Sequence, residues 1–211
     1  MAQGYDPFVS KNKRRLVQSK TCSHLCNMKF EDITGNGKLW AVHYDGDADN
    51  ILTLTFRDWN DIDWLEEFFE KNIGDLSSYF HITDIGKAIY DTIYDANTLQ
   101  CLVLDISPDA NLDQLFRPLN NSRTAELTLG KEKAKGKYNS GHSSWLRLYA
   151  LKLEPQSYLI TGGAIKLTQT MQERQHTEIE LIKMEKVRNF LIQQGAVDIE
   201  GLKDLKEDES N

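Results

Sequence analysis

Hydrophobic and polar positions along the chain fall into stretches of two different periods. "KLWAVHYDG" and "NILTLTFRDWND" predict two strands joined by the acidic turn "DGDADN"; in the second, Ile51, Leu52, Leu54 and Phe56 carry the apolar positions with threonines between them. The turn lacks the spaced ligands and terminal glutamate of a calcium loop, so a hairpin is expected. "DIDWLEEFFEKNI" predicts a helix capped by Asp61 or Asn60, with Ile62, Leu65, Phe68 and Phe69 inward and Glu66, Glu67 and Glu70 outward. "HITDIGKAIYDTIYDANTLQCLVLDI" predicts a longer helix opened by Thr83 or Asp84, its stripe running through Ile85, Ala88, Ile89, Ile93, Ala96, Leu99 and Leu102 or Val103. Tyr90 and Tyr94 lie one turn apart beside that stripe and read as core or rim packing.

The second half changes character. "NLDQLFRPLNN" is a short amphipathic turn, and "TAELTLGKEKAKGKYNSGHS" reads as a glycine-punctuated, lysine-rich loop. "SWLRLYALKLE" alternates as a strand, "PQ" is its turn, and "SYLITGGAIKLT" is the next strand. Gly162 and Gly163 interrupt that strand and predict a bulge or a close approach. "QERQHTEIELIKMEKVRNFLIQQG" predicts a helix with Ile179, Ile182, Met184 or Val187, Phe190 and Leu191 inward, stopped by Gly195. The order implies an α+β fold: an antiparallel sheet with an N-terminal helical pair and a C-terminal helix. Residues 1–37 read as a basic arm, 38–195 as the folded domain and 196–211 as an acidic tail.

Composition permits such a domain. Of 211 residues, 40% are hydrophobic and 27% charged, which is ordinary globular usage. No apolar run approaches a membrane span, the start has no secretory h-region, and three sparse cysteines suit a reducing cytoplasm. Charge modifies the picture more. The formal net charge is -7, yet residues 38–110 hold four Lys/Arg against fifteen Asp/Glu, whereas residues 122–175 hold nine against four. A polyanion responds to the local field, so the basic segment could hold RNA if it forms one face.

Several chemistries are excluded or weak. There is no G-x-x-x-x-G-K-[ST], no G-x-S-x-G and no H-E-x-x-H. Cys22, His24 and Cys26 alternate in "CSHLC", but no second ligand pair with zinc-like spacing follows, so no metal site and no cofactor are expected. "KNKRR" reads as a solvated cationic run or a contact for nucleic acid or a partner.

The stretches "LFRPLNN", "AELTLGK", "SWLRLYALKLEPQSYLITGGAIKLTQTM" and "QERQHTEIELIKMEKVRNFL" together resemble the RelE/HigB-like toxins of bacterial toxin–antitoxin pairs and their phage-derived relatives. The resemblance spans roughly residues 52–195. Leu115 to Leu119, Leu146 to Tyr149 and Gly162 to Thr168 stand where that family has its leucine–proline segment and its two site-bearing strands. Lys166 is followed by Leu167 where the family often has a second lysine, and the chain is longer and more acidic than such toxins. The resemblance implies a RelE-like fold and metal-independent cleavage of mRNA, with the ribosome as a possible setting. It also implies neutralisation by an antitoxin, expected to be a helix-turn-helix protein. A non-catalytic, phage-derived binding or regulatory module of the same fold is the alternative, and an unrelated structural α+β protein a third.

Metal-free RNA cleavage needs a base for the 2′-hydroxyl, cations around the phosphorane and an acid for the leaving oxygen. The candidates for catalysis are Arg147, Tyr149, Lys166, Arg174 and His176. Lys131, Lys133, Lys135, Lys137 and His142 are the candidates for RNA binding. Arg147 and Tyr149 are two apart on a strand and share a face, read here as the polar one, and a bulge at Gly162–Gly163 could turn Lys166 towards it. Each has a plainer reading as well: solvated sheet positions for Arg147, Tyr149 and Lys166, first-turn helix positions for Arg174 and His176, and a solvated loop for the lysines.

Overall fold

The structure, a computed structural model, describes residues 28–107, 109–119, 128–136 and 142–208. The "KNKRR" run, Cys22, His24, Cys26 and Lys137 lie outside the described residues. Six strands form one sheet in the order β1 (Lys29–Asp32), β2 (Leu39–His43), β6 (Ser157–Ile165), β5 (Leu146–Glu154), β4 (Gly130–Lys135) and β3 (Phe116–Pro118). The helices are α1 (Ile51–Trp59), α2 (Ile62–Lys71), α3 (Ile73–Phe80), α4 (Ile85–Val103), the short α5 (Leu112–Leu115), α6 (Gln175–Gln194) and α7 (Ile199–Asp208). None of the described helices is long and apolar enough to cross a membrane.

The fold is α+β, but the sheet is mixed rather than antiparallel. β2 pairs with β6 in parallel, Leu39 opposite Tyr158 and Ala41 opposite Ile160, while every other pairing is antiparallel. The parallel contact joins segments more than a hundred residues apart, so no local turn signal announces it. The basic arm is corrected in part: β1 falls within residues 1–37 and is an edge strand, with Phe30 buried and stacked on Phe190. The acidic tail is corrected too, because α7 packs against β1 with Leu202 fully buried.

The expected second strand, "NILTLTFRDWND", is helix α1. Ile51, Leu52, Thr55, Phe56 and Trp59 are its buried residues, a helical spacing that competes with the alternation, and the Asn50 side chain caps it by accepting from the Thr53 amide at 3.0 Å. α2 and α4 lie where expected, capped by Asp61 and Asp84 through the Trp64 and Lys87 amides. Tyr90 and Tyr94 are exposed on α4, whose buried stripe instead takes in Asp91, Thr92 and Asp95. On α6 the expected Met184, Val187 and Leu191 are inward, but the first turns differ from expectation. Thr177, Glu180, Met184, Val187 and Leu191 face inward, Ile179 and Ile182 are exposed, and left-handed Gly195 ends the helix.

Helices cover both faces of the sheet. Consecutive strand residues point to opposite faces. At Gly163 an added Cβ would lie 2.5 Å from Thr55 and 3.1 Å from Trp59 of α1; at Gly162 it would lie 1.7 Å from the Glu180 carboxyl of α6. The two glycines therefore let α1 approach one face and α6 the other. The bulge is not at the glycines but one residue before them: Tyr149 opposes Gly162 and Ala150 opposes Ile160, leaving Thr161 unmatched.

Candidate polyanion-binding groove

The supposed loop "KEKAK" is β4. Its lysines alternate, so Lys131, Lys133 and Lys135 share one face, and the register places them opposite Leu151, Tyr149 and Arg147 of β5. This is the face on which α6 lies, since Tyr149 also pairs with Gly162 and Arg147 with Ala164. α6 covers the β6 side and leaves a groove of about 1320 Å³ along β4 and β5. That exceeds the roughly 300–1,000 Å³ of a small-molecule site and suits a polymer or an extended chain. Its other walls are Pro118 at the end of β3, the following Leu119, and the loop containing Lys166 and Gln169 to Gln172.

Four cations line it without a carboxylate in ion-pair distance among the described residues: Lys133, Lys135, Arg147 and Lys166. Burial, with Lys135 and Arg147 nearby, pushes the Lys133 ammonium below the usual lysine range. Arg147, then burial, does the same to Lys135. Burial, then Arg147, lowers Lys166 despite Glu173. Burial lowers Arg147. Like charges held together in a partly desolvated groove disfavour one another and favour an incoming anion.

Local hydrogen bonds aim these groups. Arg147 Nη1 donates to the carbonyls of Ser144 at 2.6 Å and Leu146 at 2.7 Å. Lys133 Nζ donates to the Leu119 carbonyl at 2.9 Å, and Lys166 Nζ to the carbonyls of Thr168 and Gln169. Tyr149 is not on a solvated face. It is 1% exposed beneath α6, its hydroxyl has no hydrogen-bond partner, and burial raises its pKa well above the ordinary phenol value. That hydroxyl is a buried donor without an acceptor and does not itself reach the groove.

The remaining candidates are elsewhere or neutralised. Lys131 lines the groove but pairs with Glu185 at 2.6 Å. Arg174 makes two 2.6 Å bonds to Asp75 and so ties the loop before α6 to α3. His176 Nε2 donates to the Ile165 carbonyl at 2.9 Å with its ring edge-on to Phe68 of α2. His142 stacks on Trp145 with ring centroids 4.3 Å apart and meets Asp91 of α4 at 3.2 Å. These three residues do not line the groove.

Glu180 carried no sequence signal as a site residue. Its carboxyl is buried over Gly162 beside Tyr149; one oxygen accepts from Lys183 at 2.7 Å and the other has no partner. Burial raises its pKa and the Lys183 ammonium opposes that. A carboxyl with a raised folded pKa stabilises the fold fully below its unfolded pKa and loses that contribution as pH rises through the folded value. Glu180→Gln is therefore expected to match the wild type in mildly acid urea melts and to exceed it in stability at neutral pH. A wild-type advantage that grows with pH would contradict this.

Comparison of the chain with family models, with curated proteins and with solved structures yields no match.

Proposed function

We propose that the groove binds the phosphodiester backbone of RNA and that the chain is a RelE/HigB-like endoribonuclease toxin of a toxin–antitoxin pair. The observation that carries this reading is the convergence of Lys133, Lys135, Arg147 and Lys166 on one groove, none with a carboxylate in ion-pair distance among the described residues. Phosphate is the anion such a set holds best, since arginine grips it as a fork and the lysines act as point charges.

The groove also offers a route to cleavage without a metal. The ammonium groups of Lys133 and Lys166 are engaged by carbonyls, whereas Lys135 has no protein acceptor among the described residues. Its pKa is lowered chiefly by Arg147, the direction that makes a lysine a base. In the proposed step neutral Lys135 takes the 2′-hydroxyl proton, and the 2′-oxygen forms a bond to phosphorus. The bond from phosphorus to the 5′-oxygen breaks, and that oxygen takes a proton from water. Arg147 and Lys166 hold the charge of the phosphorane. The products carry a 2′,3′-cyclic phosphate and a 5′-hydroxyl.

A second reading, a non-catalytic RNA-binding module, is favoured by the absence of an imidazole from the groove wall among the described residues. One experiment separates the two. Purified protein is mixed with single-stranded RNA in the presence of a chelator, with and without ribosomes, and binding and end chemistry are measured. Cyclic-phosphate ends support the toxin reading, and binding without cleavage supports the module. Failure to bind at low salt removes both.

A further inference from the structure

One helix on the sheet face away from the groove is apolar on two sides. α4 packs against α1 and α2 with its buried stripe inward. Its solvent side repeats at intervals of four and three: Tyr90, Tyr94, Asn97, Cys101 and the C-cap Leu104 are all exposed. Tyr90 is 69% exposed and Tyr94 44%, and Ile106, just past the helix, is 68% exposed. From Tyr90 to Leu104 the only charged residues are Asp91 and Asp95, and both are buried. The solvent side is therefore uncharged over about 22 Å at helix rise. A surface helix ordinarily carries charge there, as α2 does with exposed Asp63, Glu66, Glu67 and Glu70. A helix apolar on both sides is one that is covered on both sides, and four–three spacing is the seam along which two helices pack.

The strip is complementary to itself. It bears no exposed charge, so two copies of a chain of net charge -7 meet there without repulsion at the contact. Its ends carry opposite signs: Lys87 is exposed just before Tyr90, where it pairs with Asp91 of its own helix, and Asp105 is exposed just after Leu104. Laid antiparallel across a two-fold axis, the Lys87 end of each copy meets the Asp105 end of the other. Parallel pairing would instead set Lys87 on Lys87 and Asp105 on Asp105. Asn97 stands midway between Tyr90 and Leu104. An amide both donates and accepts, so an asparagine near the axis is satisfied across the seam and fixes the register.

We propose that α4 is the interface of a homodimer in which two copies of this helix pack antiparallel, Tyr90 and Tyr94 of each lying on Cys101, Leu104 and Ile106 of the other. α1 and α6 cover opposite faces of the sheet, and α4 belongs to the layer of α1. The dimer therefore leaves both grooves open, and the inference does not rest on what the groove binds. A fully covered tyrosine buries roughly 150–250 Å². At these exposures the strip supplies less than the roughly 800 Å² per partner of a standard interface. The dimer is expected to be weak, in equilibrium with the monomer at micromolar concentration.

The test is sedimentation velocity of the full chain, freed of nucleic acid by nuclease, over a concentration series, with thermal melts of dilute samples. The wild type is expected to pass from monomer to dimer as concentration rises. Tyr90→Glu combined with Tyr94→Glu is expected to raise the dimer dissociation constant about tenfold or more. The monomer should melt as before, since both side chains are exposed. Ile62→Glu, which removes an exposed apolar side chain from α2, is expected to leave the dimer unchanged. Exchanging the end charges reads the orientation: Lys87→Glu and Asp105→Lys should each weaken the dimer, and the two together should restore it. Single exchanges without effect, or no recovery when they are combined, would sink the antiparallel arrangement. A chain that stays monomeric at every concentration, or a dimer untouched by the tyrosine variant, overturns the proposal. A monomer whose tyrosine variant also melts lower overturns it in favour of a face covered by the same chain.

Discussion

Replacing Lys133, Lys135 and Lys166 together by glutamine is expected to weaken RNA binding on the order of a hundredfold at moderate salt, if each contact contributes about 1 kcal/mol. The salt dependence should change in parallel. Each phosphate contact to a single strand contributes about 0.7 to the slope of log affinity against log salt, so losing three should reduce the slope by about 2. The fold should not suffer. Each of the three ammonium groups is disfavoured by burial or by its cationic neighbours, so the wild-type protein carries a repulsion that the variant relieves. The melting temperature is expected to be equal to or above that of the wild type, because sites arranged for binding are often held at some cost to stability. Affinity measured over a salt series, with thermal melts of the same samples, checks both halves. An unchanged slope would show that the RNA phosphates lie elsewhere.

That grouping of cations was partly legible. The alternation of lysines in "KEKAK" already places three of them on one side of any extended segment. Lysine and glycine are poor strand residues, so the same letters read as a loop until β5 supplies a partner through six paired positions. Arg147 and Tyr149 sharing a face was also legible, but the burial of that face was not. It depends on how α6 is rotated, and the apolar Ile179 and Ile182 point the sequence reading the wrong way. The helix instead turns Thr177 and Glu180 inward. Thr177 is satisfied there because its hydroxyl donates to the Met171 and Arg174 carbonyls. The histidines show the opposite error. They attract attention as acid–base groups, yet His142 and His176 serve packing and hydrogen bonding against α4 and α2, through Trp145, Asp91 and Phe68. α1 was misread because β-branched isoleucine and threonines raise strand propensity, while the Asn50 cap and the spacing through Trp59 decide for helix.

The paired glycines of β6 yield the sharpest structural prediction. Gly162→Ala is expected to destabilise the protein by about 3 kcal/mol, the upper range for overpacking a filled interior. A Cβ at Gly162 would stand 1.7 Å from one Glu180 carboxyl oxygen and 2.9 Å from the carboxyl carbon, so the carboxyl must move. It is 7% exposed and held by half-buried Lys183, and displacing it would disturb that ion pair as well as the packing of α6. For a chain of this size the loss corresponds to a fall in melting temperature on the order of 10 °C. If the clash with Glu180 is the cause, the cost of Gly162→Ala should drop below about 1 kcal/mol in a Glu180→Ala background, where the carboxyl is gone. Gly163→Ala supplies the control. Its Cβ would meet Thr55 and Trp59 on the opposite face, so its cost should be the same whether or not Glu180 is present. Denaturant melts of the single and double variants measure all of these terms. Were Gly162→Ala to cost the same in both backgrounds, the Gly-Gly pair would have a purely backbone explanation, and Glu180 would no longer be the reason a strand under α6 has no side chain there.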